Sequence, residues 1–321
     1  MLARVSQYVI AVLALLTAAL PVARAQEDAL PPAAMWPPGQ YVMQTRRVTE
    51  REAYLADRPQ PPHRLVQQMA LGLTVTAGEE AGSRRIEIRV LRIRERMEIG
   101  TQTAAYDSGG RPQDQHPSLA RILSPLLSLR LTVELTAEGE ARISGLDEYW
   151  AELAERKLAD ERMLSHLQAQ LSAESWAAWF TDAAKFLPPD GVEPDETWDV
   201  EIPGRVLGQD APAEIECTLA ADDDAEDALT VTFEGTRSAE GDEEPPAGGA
   251  ALRTLAASLS GTLRLDPESG MAREVTVQEE GGMEYVAATP GGEVPMQTEQ
   301  VTETVVRVAP AAEKTDTEES D

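Results

Sequence analysis

The sequence predicts a β-rich α+β fold: a curved antiparallel sheet, or two related half-sheets formed by internal duplication, with a helical segment packed on the concave side. Leu127–Ile143 has leucine or valine at alternating positions, then a glycine-containing turn before the alternation resumes; this pattern is typical of a β-hairpin. A second hairpin spans Leu259–Val277, with its turn at Asp266–Gly270. Asp147–Phe186 instead shows the three- and four-residue spacing of helices.

The chain begins with a candidate export signal. A basic start at Arg4 precedes an apolar run, Tyr8–Leu20, and a small-x-small cleavage motif, Ala23-Arg24-Ala25. The apolar run is shorter than the roughly 20 residues that span a bilayer, so an uncleaved anchor is the less favoured alternative. We therefore expect residues 1–25 to be a signal peptide and the protein to be exported, to the periplasm or the extracellular medium.

Charge and cysteine content restrict the partners and the chemistry. The formal net charge is −28 at pH 7, and removal of residues 1–25 takes away two arginines and no acid. Such a charge repels nucleic acid and anionic membrane surfaces, so neither is an expected partner. Cys217 is the single cysteine and alternates with Ile215 and Leu219. We expect it to be buried as a small apolar side chain.

After residue 25, the first part of the chain is predicted to be a linker followed by strands. Residues 26–39 are rich in proline and are expected to form a mobile linker. Three strands are predicted next: Gln40–Thr49, Leu65–Thr76 and Arg84–Ile99. In the third, the apolar positions change phase between Val90 and Leu91. A one-residue slip of this kind predicts a β-bulge, which bends a sheet.

The middle of the chain is predicted to be mainly helical. Thr101–Pro117 has the composition of a loop, and Ser118–Leu127 predicts a short helix. Within Asp147–Phe186, the apolar positions of the first helix are Trp150, Leu153, Ala154, Leu158, Leu164, Leu167 and Leu171. A second helix follows Ser172, and its aromatic residues recur at helical spacing: Trp176, Trp179, Phe180 and Phe186. Core packing is one interpretation of these aromatics, and the lining of a ligand cavity is the other.

The second part of the chain repeats the strand pattern. Its predicted strands are Thr197–Ile202, Ala213–Ala220, Leu229–Thr236 and, beside Met271–Gln278, a last strand Gln297–Val308. Arg237–Ala250 has the composition of a loop. The expected organisation is a signal peptide (1–25), a linker (26–39), a first β unit (40–146), a helical segment (147–187), a second β unit (188–308) and a disordered acidic tail (309–321).

No motif for catalysis or metal binding stands out. Asp107-Ser108-Gly109-Gly110 resembles a protease nucleophile loop, but the three histidines are not placed to complete a triad, so a turn in which Asp107 caps its own loop is favoured. Asp222–Asp227 lacks the glycine and glutamate of an EF-hand loop, and the histidines and Cys217 lack zinc-site spacing. We expect no catalytic residue, metal site or cofactor; a hydrolase is the least supported function.

Several short motifs resemble those of a known family. They are Tyr106-Asp107-Ser108, the hairpin Leu129–Ile143 with Gly139 in its turn, Pro189–Trp198, and Ser260-Gly261 with Asp266 and Gly270. Together they resemble the exported bacterial β-rich proteins of domain-of-unknown-function family 6263, over roughly Gln40–Val308. That family has no established activity. The resemblance therefore implies export and a two-part β fold, and it adds no site.

Two main functions remain open. The acidic surface, the mobile ends and the lack of a catalytic motif favour a non-catalytic scaffold or interaction module, with an unknown envelope protein as its partner. The alternative is a binder or carrier of an apolar ligand such as a lipid, held between sheet and helix. In that case the expected ligand-binding residues are Trp176, Trp179, Phe180 and Phe186.

Overall fold

A computed structural model describes residues 32–56, 58–155, 168, 172–189, 191–202, 205–206, 209–220, 228–241, 250–289 and 292–311. The first seven strands are β1 (Gly39–Leu55), β2 (Arg58–Pro59), β3 (His63–Ala77), β4 (Arg84–Ile99), β5 (Gln102–Asp107), β6 (Arg130–Leu135) and β7 (Ala141–Ser144). The remaining strands are β8 (Thr197–Ile202), β9 (Arg205–Val206), β10 (Gln209–Asp210), β11 (Ala213–Leu219), β12 (Leu229–Glu240), β13 (Ala250–Leu265), β14 (Ala272–Thr289) and β15 (Gly292–Pro310). The helices are α1 (Pro117–Leu123), α2 (Leu146–Glu155) and α3 (Ala173–Thr181), with 3₁₀ turns at Pro112–Asp114, Ser124–Ser128 and Asp182–Phe186.

Thirteen of the described strands form one antiparallel sheet. Its order is β7-β6-β4-β3-β1-β15-β14-β13-β12-β11-β8, with β2 beside β1 and β5 beside β4. Strands before α2 occupy one side and strands after α3 the other, and β1 and β15 join the two sides from Tyr41–Pro310 to Leu55–Met296. The predicted β-rich α+β class is confirmed, and the sheet is open. A duplication relating its two sides stays a prediction.

The bulge lies where the apolar phase changes. Leu71 of β3 pairs with Val90 and the preceding Ala70 with Arg92, which leaves Leu91 without a partner in the register. Leu91 is 43% exposed, and the inward positions shift from Val90 to Ile93. The extra residue therefore keeps apolar side chains on the inner face on both sides of the bend.

Both predicted hairpins are present. β6 pairs with β7 around a turn in which Gly139 has a φ of +91°. β13 pairs with β14, and the carboxylate Oδ1 of Asp266 accepts hydrogen bonds from the amides of Glu268 and Ser269, at 3.1 and 2.9 Å. The first hairpin begins later than Leu127, because the proline-containing segment Ser124–Ser128 forms a 3₁₀ turn that buries Leu126.

One predicted loop contains a strand. Gln102–Asp107 pairs with the second half of β4, because Gly100, with a φ of +56°, reverses the chain within two residues. The turn after Asp107 is as expected: its Oδ1 accepts a hydrogen bond from the Gly109 amide at 2.9 Å. The same carboxylate also pairs with Arg92 and Arg94 of β4.

Apolar side chains of the inner face form two main clusters. One joins the strands before α2 to all three helices, and the other lies on β8, β11, β12 and β13, where Cys217 is fully buried as expected. In α2, Trp150 and Leu153 are buried while Ala154 is exposed. Predictions for residues 1–25, for Leu158, Leu164, Leu167 and Leu171, for Asp222–Asp227 and for 312–321 lie outside the described residues.

Candidate functional site

A cavity of about 300 Å³ lies between the inner face of the sheet and the segment formed by α3 and the turn after it. The helical wall consists of Ala178, Trp179, Ala183 and Phe186. Trp179, Ala183 and Phe186 are spaced by four and three residues, which puts them on one side of the segment. The opposite wall comes from β1, β8 and β11 to β15.

Two of the four aromatic residues expected to bind a ligand line this cavity. Trp179 and Phe186 do, and the Phe186 ring lies 5.2 Å from that of Phe233, a residue of the sheet wall. Trp176 and Phe180 are buried behind the wall instead. The Trp176 ring lies 5.5 Å from that of Trp179 in a tilted arrangement, and the Phe180 ring lies 5.2 Å from that of Trp36. Successive residues of a helix point in different directions, so one aromatic helix supplies both core and cavity.

The segment before β1 closes one side of the cavity, which corrects part of the linker prediction. Met35 and Trp36 line the cavity and are buried. The Trp36 indole Nε1 donates a hydrogen bond to the carbonyl oxygen of Phe180 at 3.4 Å, and the Trp36 carbonyl oxygen accepts one from Arg84 Nε at 3.0 Å. Two adjacent apolar residues are too few to show a periodicity, so the sequence pattern does not predict that Met35 and Trp36 are buried.

The sheet must curve strongly to form this cavity. Neighbouring strands lie about 4.8 Å apart, so β1 and β8, six places apart in the sheet order, would be about 29 Å apart if the sheet were flat. Met43 of β1 and Ile202 of β8 nevertheless line the same cavity. Gly261 of β13 contributes to the close packing, because the ring of Phe233 lies where its Cβ would be.

Polar side chains occupy one end of the cavity. The charged residues that line it are Arg47, Arg237 and Glu279, and Thr302 and Thr304 lie beside them. Arg237 Nη1 is 3.6 Å from Glu279 Oε1. Arg47 and Arg237 are only 7% and 5% exposed, and the Nε of each has no hydrogen-bond partner among the described residues. The polar end therefore carries an excess of one positive charge and unused donors.

Burial makes the guanidinium of Arg47 less basic. It lowers the pKa of the Arg47 guanidinium to about 10, and the nearby Glu279 carboxylate partly offsets that effect. Since this pKa is still well above neutrality, Arg47 keeps its charge at pH 7. A buried guanidinium with a free N–H is suited to a planar anion.

Next to the polar end of the cavity, Gln67 and Glu95 form a buried polar pair. Gln67 Nε2 donates a hydrogen bond to Glu95 Oε2 at 3.0 Å, and Gln67 faces Arg47 across the β1–β3 register. Burial raises the pKa of the Glu95 carboxyl to about 7, although the bond from Gln67 opposes the shift. The other carboxylate oxygen, Glu95 Oε1, and the amide oxygen, Gln67 Oε1, lack a partner among the described residues. A proton on Glu95 would supply a donor to this pair.

The sequence prediction missed these charged residues, although a signal for them exists. Glu95 continues the inward positions Ile93 and Met97, and Glu279 continues Val275 and Val277. Arg237 continues Val231 and Phe233, because β12 runs to Glu240 through the beginning of the predicted loop. A charged residue in phase with an apolar stripe is a candidate for burial on the inner face.

The described residues include no group of three potential metal ligands among His, Cys, Asp and Glu. Burial raises the pKa of the Cys217 thiol to about 12, so it remains protonated. Ser108 Oγ accepts a hydrogen bond from the Ile93 amide at 3.0 Å, which suits its position in a turn. In the described part of the chain, no helix has the length and apolar character needed to cross a membrane.

Several solved structures align with this chain at low identity and low TM-score. Lipovitellin, solved for its lipid–protein interactions, aligns with 86% of this chain at 11% identity and a TM-score of 0.40, and this chain spans only 26% of it. The COG4313 outer membrane channel from Pseudomonas putida F1 aligns with 90% of this chain, over 100% of its own length, at 9% identity and a TM-score of 0.23. OmpF from Salmonella typhi, in complex with daunomycin, aligns with 83% of this chain and 98% of its own length, at 7% identity and a TM-score of 0.21.

A search of curated proteins finds no match. A family comparison does: the profile of a family of unknown function, DUF6263, matches residues 81–272. This match includes the bulge in β4, the first hairpin, α3 and the part of the cavity's sheet wall that lies on β8, β11, β12 and β13. It is shorter than the Gln40–Val308 suggested by the motifs, but it covers more than half of the chain. The chain therefore belongs to the DUF6263 family.

Proposed function

We propose that the protein binds an apolar small molecule in the cavity between α3 and the sheet. The observation that carries this proposal is a cavity of about 300 Å³ with a largely apolar wall. Protein interiors are close-packed and leave few voids larger than a water molecule. An apolar cavity of roughly 150 Å³ already binds benzene, so a cavity of this volume in a packed core is suited to a ligand.

The wall chemistry supports the same function. Trp36, Trp179, Phe186 and Phe233 supply large apolar surfaces, and a few polar groups at one end can orient a ligand. Ligand sites combine an apolar lining with a small number of placed polar groups. A scaffold or interaction module, the other function considered, does not require such a cavity.

Filling the cavity should abolish binding while the fold is kept. In Ala183→Phe the added ring would project from the helical wall into the space that the ligand needs. Native mass spectrometry of protein purified without detergent should show a small-molecule adduct for the original chain and none for this variant. Ala173→Phe, on an exposed position of α3, is the matched control and should keep the adduct. An apo mass for the original chain, with tryptophan fluorescence that does not respond to added fatty acids or alcohols, would exclude this function.

We also propose that the protein acts outside the cytoplasm. The motivation is the signal-like sequence of residues 1–25, with its apolar run and Ala23-Arg24-Ala25 motif. Sequencing the N-terminus of the protein recovered from its source cells should then give Gln26 as the first residue. Recovery of the chain with Met1 intact in the cytosolic fraction would contradict export.

A further inference from the structure

The cavity changes from apolar to polar along the strand direction. On β1 the lining runs from Met43 to Arg47, and on β14 it runs from Ala272 to Glu279. The register aligns these changes: Arg47 faces Thr304, which faces Val277, and Glu279 faces Thr302. At about 3.3 Å per residue, the two stretches span about 13 and 23 Å. The cavity is thus elongated along the strands, with both arginines at one end.

The charges at the polar end are incompletely compensated. Two guanidiniums, each more than nine-tenths buried, face the single carboxylate of Glu279 among the charged residues that line the cavity. The Nε of Arg47 and the Nε of Arg237 have no hydrogen-bond partner in the described part of the chain. A buried charge is costly unless it is paired and hydrogen-bonded. An anion at this end would supply the missing partner.

Building on the proposed binding function, we infer that the ligand is a single-chain amphiphile with a carboxylate head, of the fatty-acid class. Its head would lie at Arg47 and Arg237, and its chain would extend along β1 and β14 towards Met43 and Ala272. The volume of about 300 Å³ is at the low end for ligand sites and favours one chain over two.

The choice of a carboxylate follows from the charge count. The polar end carries two positive charges and one negative charge, which matches a monovalent head. A phosphate monoester carries about −1.5 to −2 at neutral pH and would leave excess negative charge buried. The formal net charge of −28 does not prevent an anionic head from binding at the polar end, because exposed charges are screened beyond about 8 Å at physiological ionic strength.

The test uses three probes that share one chain: palmitate, hexadecanol and hexadecyl phosphate. Binding to the full-length protein is measured at pH 8 by tryptophan fluorescence, since Trp36 and Trp179 line the cavity. We expect palmitate to bind about tenfold or more tightly than hexadecanol, because hydrogen bonds to a charged group are among the stronger ones. We also expect it to bind more tightly than hexadecyl phosphate.

Substitutions at the polar end test where the carboxylate head of the ligand binds. Arg47→Met should remove most of the preference for palmitate over hexadecanol. Arg46→Met, the adjacent residue on the exposed face of β1, should keep it. Glu279→Gln should strengthen palmitate binding, because it removes the carboxylate that competes for the arginines. Palmitate affinity is thus expected to rise in Glu279→Gln. This variant therefore tests the position of the head even if Arg47→Met, whose folding is checked by circular dichroism, fails to fold.

The outcomes separate this inference from the proposed function. If no probe binds, both are wrong. If palmitate and hexadecanol bind equally well, or if Glu279→Gln leaves palmitate affinity unchanged or weaker, the cavity binds an apolar ligand but the carboxylate head is wrong. Tighter binding of hexadecyl phosphate than of palmitate would likewise overturn the carboxylate assignment.

Discussion

Replacing Phe180 by alanine should lower the free energy of unfolding by about 3–5 kcal/mol, the usual loss for a large buried aromatic side chain. Phe180 is 1% exposed and packs on Trp36. Its loss would leave a void directly behind the helical wall and would release the segment that carries Met35 and Trp36. Chemical unfolding followed by far-ultraviolet circular dichroism measures the change.

Trp179→Ala is the informative comparison. Trp179 is partly exposed and faces the cavity, so its removal should cost distinctly less stability than Phe180→Ala while weakening ligand binding more. Equal losses of stability in the two variants, with ligand binding unaffected by Trp179→Ala, would assign Trp179 to the core. That result would support the interpretation of all four aromatics as packing residues.

Glu95→Gln should stabilise the protein at alkaline pH and have little effect at acidic pH. The pKa of Glu95 is raised from the ordinary 4.5 to about 7 by burial. Its folded-state pKa is thus higher than its unfolded one, so its contribution is fully present below about pH 4.5 and is lost as the pH rises through 7. The loss on ionisation amounts to at most about 3 kcal/mol, and the variant should avoid it.

The hydrogen bonding supports the same expectation. An amide at position 95 can accept the bond from Gln67 Nε2 and has an N–H to offer Gln67 Oε1, which now lacks a partner among the described residues. Urea unfolding at pH 4.5 and pH 8 measures the difference. Glu87→Gln, on the exposed face of the same strand, is the control and should show no such pH dependence. A variant less stable than the original chain at pH 8 would contradict this expectation and show that the folded protein stabilises the ionised form of Glu95.

The strands and the bulge could be predicted because their signals are local. Alternation in Arg84–Ile99 and its change of phase at Leu91 are visible in sixteen residues, and the structure shows the bulge at that residue. The ends of strands were harder to place. β12 and β14 continue past Thr236 and Gln278, because their pairing with neighbouring strands outweighs polar composition.

What the sequence by itself determined is therefore the β-rich class, the hairpins and the face on which each strand residue lies, since a period of two depends only on the chain itself. The tertiary structure decided which of those residues lie close together. Arg47 and Arg237 are far apart in the sequence. Arg47 comes near Glu279 because β15 pairs with both β1 and β14, and Arg237 does so because β13 pairs with both β12 and β14. It also separated Trp179 and Phe186, which line the cavity, from Trp176 and Phe180, which pack behind it. The physical reason is that a cavity is formed by contacts between distant segments, and no local pattern specifies where those segments converge.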